Sequence, residues 1–169
     1  MAIKISGVDV NTTKLNAIDA VVDTNQDFLD GTTATPATYR RELGRQQTSK
    51  TTIDLNQAAA SYDLFTGTTA DVILTGFSIR LPNVDVSDDA SLTSISIQTD
   101  DATVTTLLSS ADGAVANLTA ESQHSYSGIV YIDAGTKIQL TIAGGASDAT
   151  TTCQVGAIYT ALNDGGYLA

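Results

Sequence analysis

The chain has 169 residues, with 19 acids against 8 bases and a net charge of −11. That balance speaks against a general nucleic-acid binder, whose affinity comes from neutralising phosphates, and against docking on an anionic membrane. One cysteine (Cys153) and one histidine (His124) exclude disulfide frameworks, Cys/His zinc sites and Cys–His dyads within one chain.

The first residues, Met1 to Ser6, contain no long apolar stretch, so no secretory signal is expected. No apolar run anywhere approaches the ~18 residues of a membrane span. Leu15, Ile18 and Val22 fall at helical spacing after Thr13, which predicts a short helix near 13–22. Thr35-Pro36 starts a second short helix near 36–43. Thr35 is its cap, Pro36 its first residue, Tyr39 and Leu43 are four apart, and Gly44 stops it. Residues 1–50 carry six bases and six acids. Their scattered apolar residues, among them Phe28 and Leu29, cannot build a core alone and must lie on something else. Residues 1–50 therefore read as an N-terminal arm. The polar run from Gln46 to Thr52 places its boundary near residue 50.

Residues 51–169 hold two bases and thirteen acids, so all of the net charge lies here. Period-2 alternation predicts strands in order: Thr51–Asn56, Ser61–Thr66, Asp71–Leu81, Leu92–Thr99, Val104–Ser109, Gly128–Asp133, Thr136–Ala143 and Thr152–Leu162. In the third, Ile73, Phe77, Ile79 and Leu81 share a face, with Val72 and Leu74 opposite. Threonine on the wet positions suits a pleated surface because it is β-branched. Turn formers separate the runs, as in Asp133-Ala134-Gly135 and Ala143-Gly144-Gly145. Pro82–Ser91 and Ser110–Ser127 read as long end loops. About eight strands without a helix among them predict an all-β, two-sheet antiparallel sandwich, a jelly roll rather than a seven-stranded immunoglobulin-like fold. Its expected core is Leu64, Ile79, Ile95, Ile97, Ile129, Ile138, Leu140, Ile142, Val155 and Tyr159.

Little here points to chemistry. Asp85, Asp88, Asp89, Asp100 and Asp101 are oxygen donors of the type calcium takes, but they lack EF-hand spacing and suit turns. His124 lies near Glu121 and Ser122 in sequence, in what reads as a loop. Cys153 alternates with Val155 and Ala157, as a buried small hydrophobe would. No catalytic residue, cofactor or metal site is expected, and the chain reads as a non-enzyme.

Several segments resemble the small jelly-roll decoration (cement or auxiliary head) proteins of tailed-bacteriophage capsids. They are Ser61-Tyr62-Asp63-Leu64-Phe65-Thr66-Gly67, Phe77-Ser78-Ile79-Arg80-Leu81, Ser94-Ile95-Ser96-Ile97-Gln98-Thr99, the stretch from Gly135 to Gly145, and Ile158-Tyr159-Thr160-Ala161-Leu162. The likeness covers roughly residues 51–162 and lies in strand layout and in Thr/Gly/Asp style. It implies a homotrimer on the outer surface of a virion, made in the host cytoplasm. Seated at threefold and quasi-threefold positions of the major capsid protein shell, it would clamp neighbouring capsomers without catalysis.

The arm is then the expected shell-binding element. Leu15, Ile18, Val22, Phe28, Leu29 and Tyr39 supply apolar anchors. Arg40, Arg41 and Arg45 can face shell carboxylates, which arginine binds in planar pairs. Partners other than the shell and further copies, nucleic acid and membrane included, are not expected. The alternative is a host-surface glycan-binding module of a head fibre or tail spike. Such a module wants exposed aromatic rings, and the chain has only six Tyr, three Phe and no Trp.

Overall fold

The computed structural model describes residues 46–163 and 165–169 in full, and the backbone of Ile3–Ile5 and Val8–Val10. The chain divides into two units, Met1–Arg40 and Arg41–Ala169. In the first, strand β1 (Ile3–Ile5) pairs antiparallel with β2 (Val8–Val10), Ile3 opposite Val10. The sequence signal for this pair is an apolar alternation on either side of Ser6-Gly7, which the arm reading overlooks. The helices expected near 13–22 and 36–43 lie outside the described residues.

The second unit holds β3 (Gln46–Asp54), β4 (Ser61–Thr68), β5 (Val72–Arg80), β6 (Ser94–Thr99) and β7 (Thr106–Leu108). It continues with β8 (Gln123–Ile132), β9 (Lys137–Ala143), β10 (Thr152–Ala161) and β11 (Tyr167–Leu168). One sheet has the order β3-β10-β5-β8 and the other β11-β4-β9-β6-β7. Consecutive strands mostly alternate between the sheets, and all pairs are antiparallel. Set aside the short edge strand β11, and the remaining eight run first-eighth-third-sixth and second-seventh-fourth-fifth. That is jelly-roll connectivity. Among the described residues, no helix is long and apolar enough to cross a membrane.

The core lies between the sheets. Nine of the ten expected core residues are buried, and Phe65 of β4 meets Phe77 of β5 edge to face across the sandwich, centroids 6.5 Å apart. The tenth, Ile129, is a correction: it is 72 % exposed. Val130 and Ile132 point inward in its place, because the run from Ile129 to Ile132 is apolar on both parities and alternation cannot choose between them.

Two bulges correct the assumed single parity. In β5, Leu74 faces Tyr159 and Gly76 faces Ile158, so Thr75 is an extra residue against β10. Parity reverses there, and Val72 and Leu74 are buried on the same side as Phe77 and Ile79. In β4, Leu64 is the extra residue between Asp63 and Phe65, which lets Leu64 and Phe65 both turn inward.

Two boundaries also move. The first strand of the sandwich, expected from Thr51, begins at Gln46: Gln46 to Asp54 pair with Thr160 to Thr152. The loop expected to reach Ser127 ends earlier, since Gln123 to Ser127 pair with Arg80 to Gly76. Pairing along a more apolar neighbour, β10 for the first and β5 for the second, makes strands of these polar residues. Near the C-terminus, β11 lies along β4, and Leu168 is buried while its carbonyl accepts the Ser49 hydroxyl of β3 at 2.7 Å. Gly67, opposite Leu168, has no room for a side chain, because a Cβ there would meet the Asp133 carbonyl.

Candidate interaction surfaces

The nine arm residues singled out for shell binding, Leu15, Ile18, Val22, Phe28, Leu29, Tyr39, Arg40, Arg41 and Arg45, lie outside the described residues. The sandwich itself presents two outer sheet faces and two sets of end loops, and they differ in chemistry.

The outer face of the five-stranded sheet is polar, and several of its side chains bond one another. Lys137 donates to Asp63 Oδ2 at 2.6 Å, and Gln139 donates to Asp63 Oδ1 at 2.7 Å. Those bonds, the Lys137 one first, hold the Asp63 carboxyl below its ordinary value of 3.8. The Ser61 and Thr141 hydroxyls bond each other at 2.8 Å.

The outer face of the four-stranded sheet is different. One end is a trough of about 660 Å³, lined by Lys50 and Thr52 of β3, Ser78 and Arg80 of β5, Gln123 of β8, and Gln154 and Gly156 of β10. Its depth comes from small residues on the floor: Gly156 and Ser78 face each other across β10 and β5. Arg80 reaches Glu121 at 3.3 Å, an exposed pair worth little. None of the trough's lining residues is aromatic, so it offers no stacking surface to a sugar ring. The other end is apolar. Ile129 and Tyr131 are 72 % and 62 % exposed and Ile158 is 39 % exposed, with Ile73 opposite Tyr131 in the ladder. The alternation reading missed this cluster, having placed Ile129 in the core.

The acidic loops are turns. Asp85 accepts from the Ser87 amide. Asp89 accepts from the amides of Ser91 and Leu92 through Oδ1 and of Asp148 through Oδ2. Asp100 accepts from the Lys137 amide, and Asp101 from the Thr99 hydroxyl. Asp85, Asp89 and Asp100 thus accept backbone amides, as turn-forming aspartates do. Among the described residues, no group of three or more His, Cys, Asp or Glu side chains is placed to hold a metal ion.

His124 is not in a loop. It lies on β8 opposite Ile79, and its Nε2 is buried without a hydrogen-bond partner, so neither Ser122 nor Glu121 is bonded to that nitrogen. Cys153 is buried, and burial, followed by the charge of Asp54, pushes its thiol up to about 12.

No family model matches the sequence, and no curated protein matches it significantly. Solved structures do match the fold. A chain in the acid-stable capsid structure of Helicobacter pylori bacteriophage KHP30 covers 76 % of this chain and 95 % of its own length, at 12 % identity and a TM-score of 0.51. The sandwich shares its fold with a phage capsid chain. A chain of the cyanophage Pam1 capsid asymmetric unit covers 70 % of this chain and 86 % of its own, at 17 % identity and a TM-score of 0.49. At such identities the likeness speaks to fold alone.

Proposed function

We propose that this chain is a non-enzymatic structural protein of a tailed-phage virion. It sits on the outside of the capsid as a trimer and clamps neighbouring capsomers. The observation that carries the reading is the match to the KHP30 capsid structure, which takes in 95 % of that chain. A chain of this fold and extent is thus part of a phage capsid structure.

The arm is the proposed grip. Its apolar residues, Leu15, Ile18, Val22, Phe28 and Leu29, pack on the shell, and Arg40, Arg41 and Arg45 face shell carboxylates near the junction with the sandwich. Exposed ion pairs contribute ~0–1 kcal/mol each, so the apolar anchors carry more of the affinity. Three arms on one trimer turn singly weak contacts into a long-lived attachment. Attached across capsomer seams, the trimer resists the outward pressure of packaged DNA.

The test is to map this chain on intact particles by electron microscopy. Density for the sandwich at threefold positions outside the shell supports the reading. Its absence from purified particles, or its location at a fibre tip, overturns it.

A further inference from the structure

The two outer sheet faces are not equivalent, and the difference identifies what one of them is for. Both sheets are poor in acid. The four strands β3, β5, β8 and β10 contain a single carboxylate, Asp54, at the last position of β3. Asp54 is already used, accepting the amides of Asn56 and Thr151 at 3.0 and 2.8 Å. On the five-stranded side the one strand carboxylate, Asp63, is bound to Lys137 and Gln139. The other acids among the described residues of this unit lie in loops and at strand ends. What separates the faces is exposed apolar surface. The five-stranded face shows Ser, Thr, Gln and one ion pair. The four-stranded face shows Ile129, Tyr131, Ile158 and Ile73 on three adjacent strands, centred on the bulge at Thr75.

The placement is contiguous. Ile73 is opposite Tyr131 on β8 and opposite Thr160 on β10. Ile158 lies over Gly76, where a Cβ would be 3.4 Å from its Cδ1. Ile129 falls between Ser127 and Val130, opposite the bulge. Four clustered large apolar side chains on an otherwise polar face mark an interface rather than scattered exposure.

We infer that the outer face of the four-stranded sheet is where a second copy of this chain packs. Charge argues for the occupant. Each chain carries −11, so copies repel unless they meet where carboxylates are absent. Apart from Asp54, spent at one corner, the charged residues on these four strands are the bases Lys50 and Arg80, with Arg80 paired to Glu121 at the rim, beside an apolar centre. A neighbour bringing its acidic loops towards Lys50 gains attraction, and the apolar centre beside it gives contact that the polar five-stranded face does not. Size agrees. Four strands ~4.8 Å apart and nine residues long span roughly 20 by 30 Å, or about 600 Å². Two copies then bury about 1,200 Å², the lower bound for a specific stable contact. The number of copies, three, rests on the proposed virion role; the choice of face does not.

The test measures the mass of the full-length chain by light scattering at ~1–100 µM. The wild type is expected to run as a multiple of 17.5 kDa. The double variant Ile129→Asp/Ile158→Asp is expected to run at the monomer mass. Both positions are exposed, so its circular dichroism and melting should stay close to wild type. A control, Ser94→Asp/Ser96→Asp, adds the same charge to the opposite sheet and should remain associated. A monomeric wild type at every concentration overturns the inference. So does a double variant that stays associated, or a control that dissociates equally. The shell assay separates this from the virion role. If the chain associates through this face yet leaves capsids of the encoding phage bare, the virion role fails and the inference stands. If the double variant leaves the capsid while keeping its oligomeric mass, the face meets the shell and the inference fails.

Discussion

Asp89 shows how single side chains decide the stability of the loops. Its carboxylate takes three backbone amides, and those of Leu92 and then Asp148 do most to hold its pKa below the ordinary 3.8. Asp85 is lowered chiefly by the Ser87 amide, and Asp63 chiefly by Lys137. A carboxyl lowered in the fold contributes stability above its unfolded pKa and loses it as pH falls through the folded value. The midpoint of urea unfolding should therefore stay level down to about pH 5 and fall below about pH 4. Asp89→Asn should lower the midpoint at neutral pH and flatten the acid limb; an unchanged acid limb would show that Asp89 is not a source of it. Cys153 gives the opposite case. Its thiol, pushed up to about 12, holds almost no thiolate in the native state near pH 8. Alkylation should wait for opening of the sandwich and accelerate with urea in step with unfolding. Rapid stoichiometric labelling without denaturant would contradict the burial argument.

At the scale of elements, the bulge at Thr75 determines which residues of β5 form the core. Deleting Thr75 removes the parity reversal and turns Val72 and Leu74 to solvent while Phe77 and Ile79 stay inside. Exposing two such side chains costs ~3–6 kcal/mol, much of the stability of a typical domain. Thr75→Val, which keeps the backbone and loses only the hydroxyl bond to the Ile158 carbonyl, should cost about 1 kcal/mol or less. Denaturant titration of the two variants distinguishes parity from side-chain chemistry; equal losses would reject it. The same bulge shows why the fold was legible in sequence and its register only partly so. β6 and β9 alternate cleanly, Ile95 and Ile97 against Ser94 and Ser96, so their faces follow from the residues. β5 is apolar on both sides of the bulge, and β8 is polar in its first half and apolar on both parities in its second. Only the pairing with neighbours settles such strands. The apolar outer cluster was hidden for the same reason: Ile129 and Val130 look alike to alternation, and only one of them faces the core.

For the whole molecule, the start of β3 decides where the sandwich can be cut. The composition shift near residue 50 falls inside a strand, whereas the two units part between Arg40 and Arg41. A chain beginning at Arg41 keeps all of β3. A chain beginning at Lys50 loses the pairing of Gln46 to Ser49 with Thr160 to Ala157. It also loses the Ser49 bond to Leu168 and the Gln47 Oε1 that accepts the buried Tyr159 hydroxyl at 3.3 Å. Several hydrogen bonds at ~0.5–1.5 kcal/mol each amount to ~2–5 kcal/mol, and Tyr159 is left with an unpaired hydroxyl in the core. The Arg41 chain should melt cooperatively with the β-sheet signature of the full chain, and the Lys50 chain should melt well below it or fail to fold. Only the Arg41 chain is then a fair test of the proposed grip. If the arm anchors the molecule, it should keep the self-association set by the four-stranded face yet fail to coat capsids that lack the native copy. An Arg40→Ala/Arg41→Ala/Arg45→Ala variant of the full chain should coat them more weakly, with a shallower dependence on salt. If the folded Arg41 chain coats capsids as well as the full chain does, the shell contacts belong to the sandwich and the arm is not the anchor.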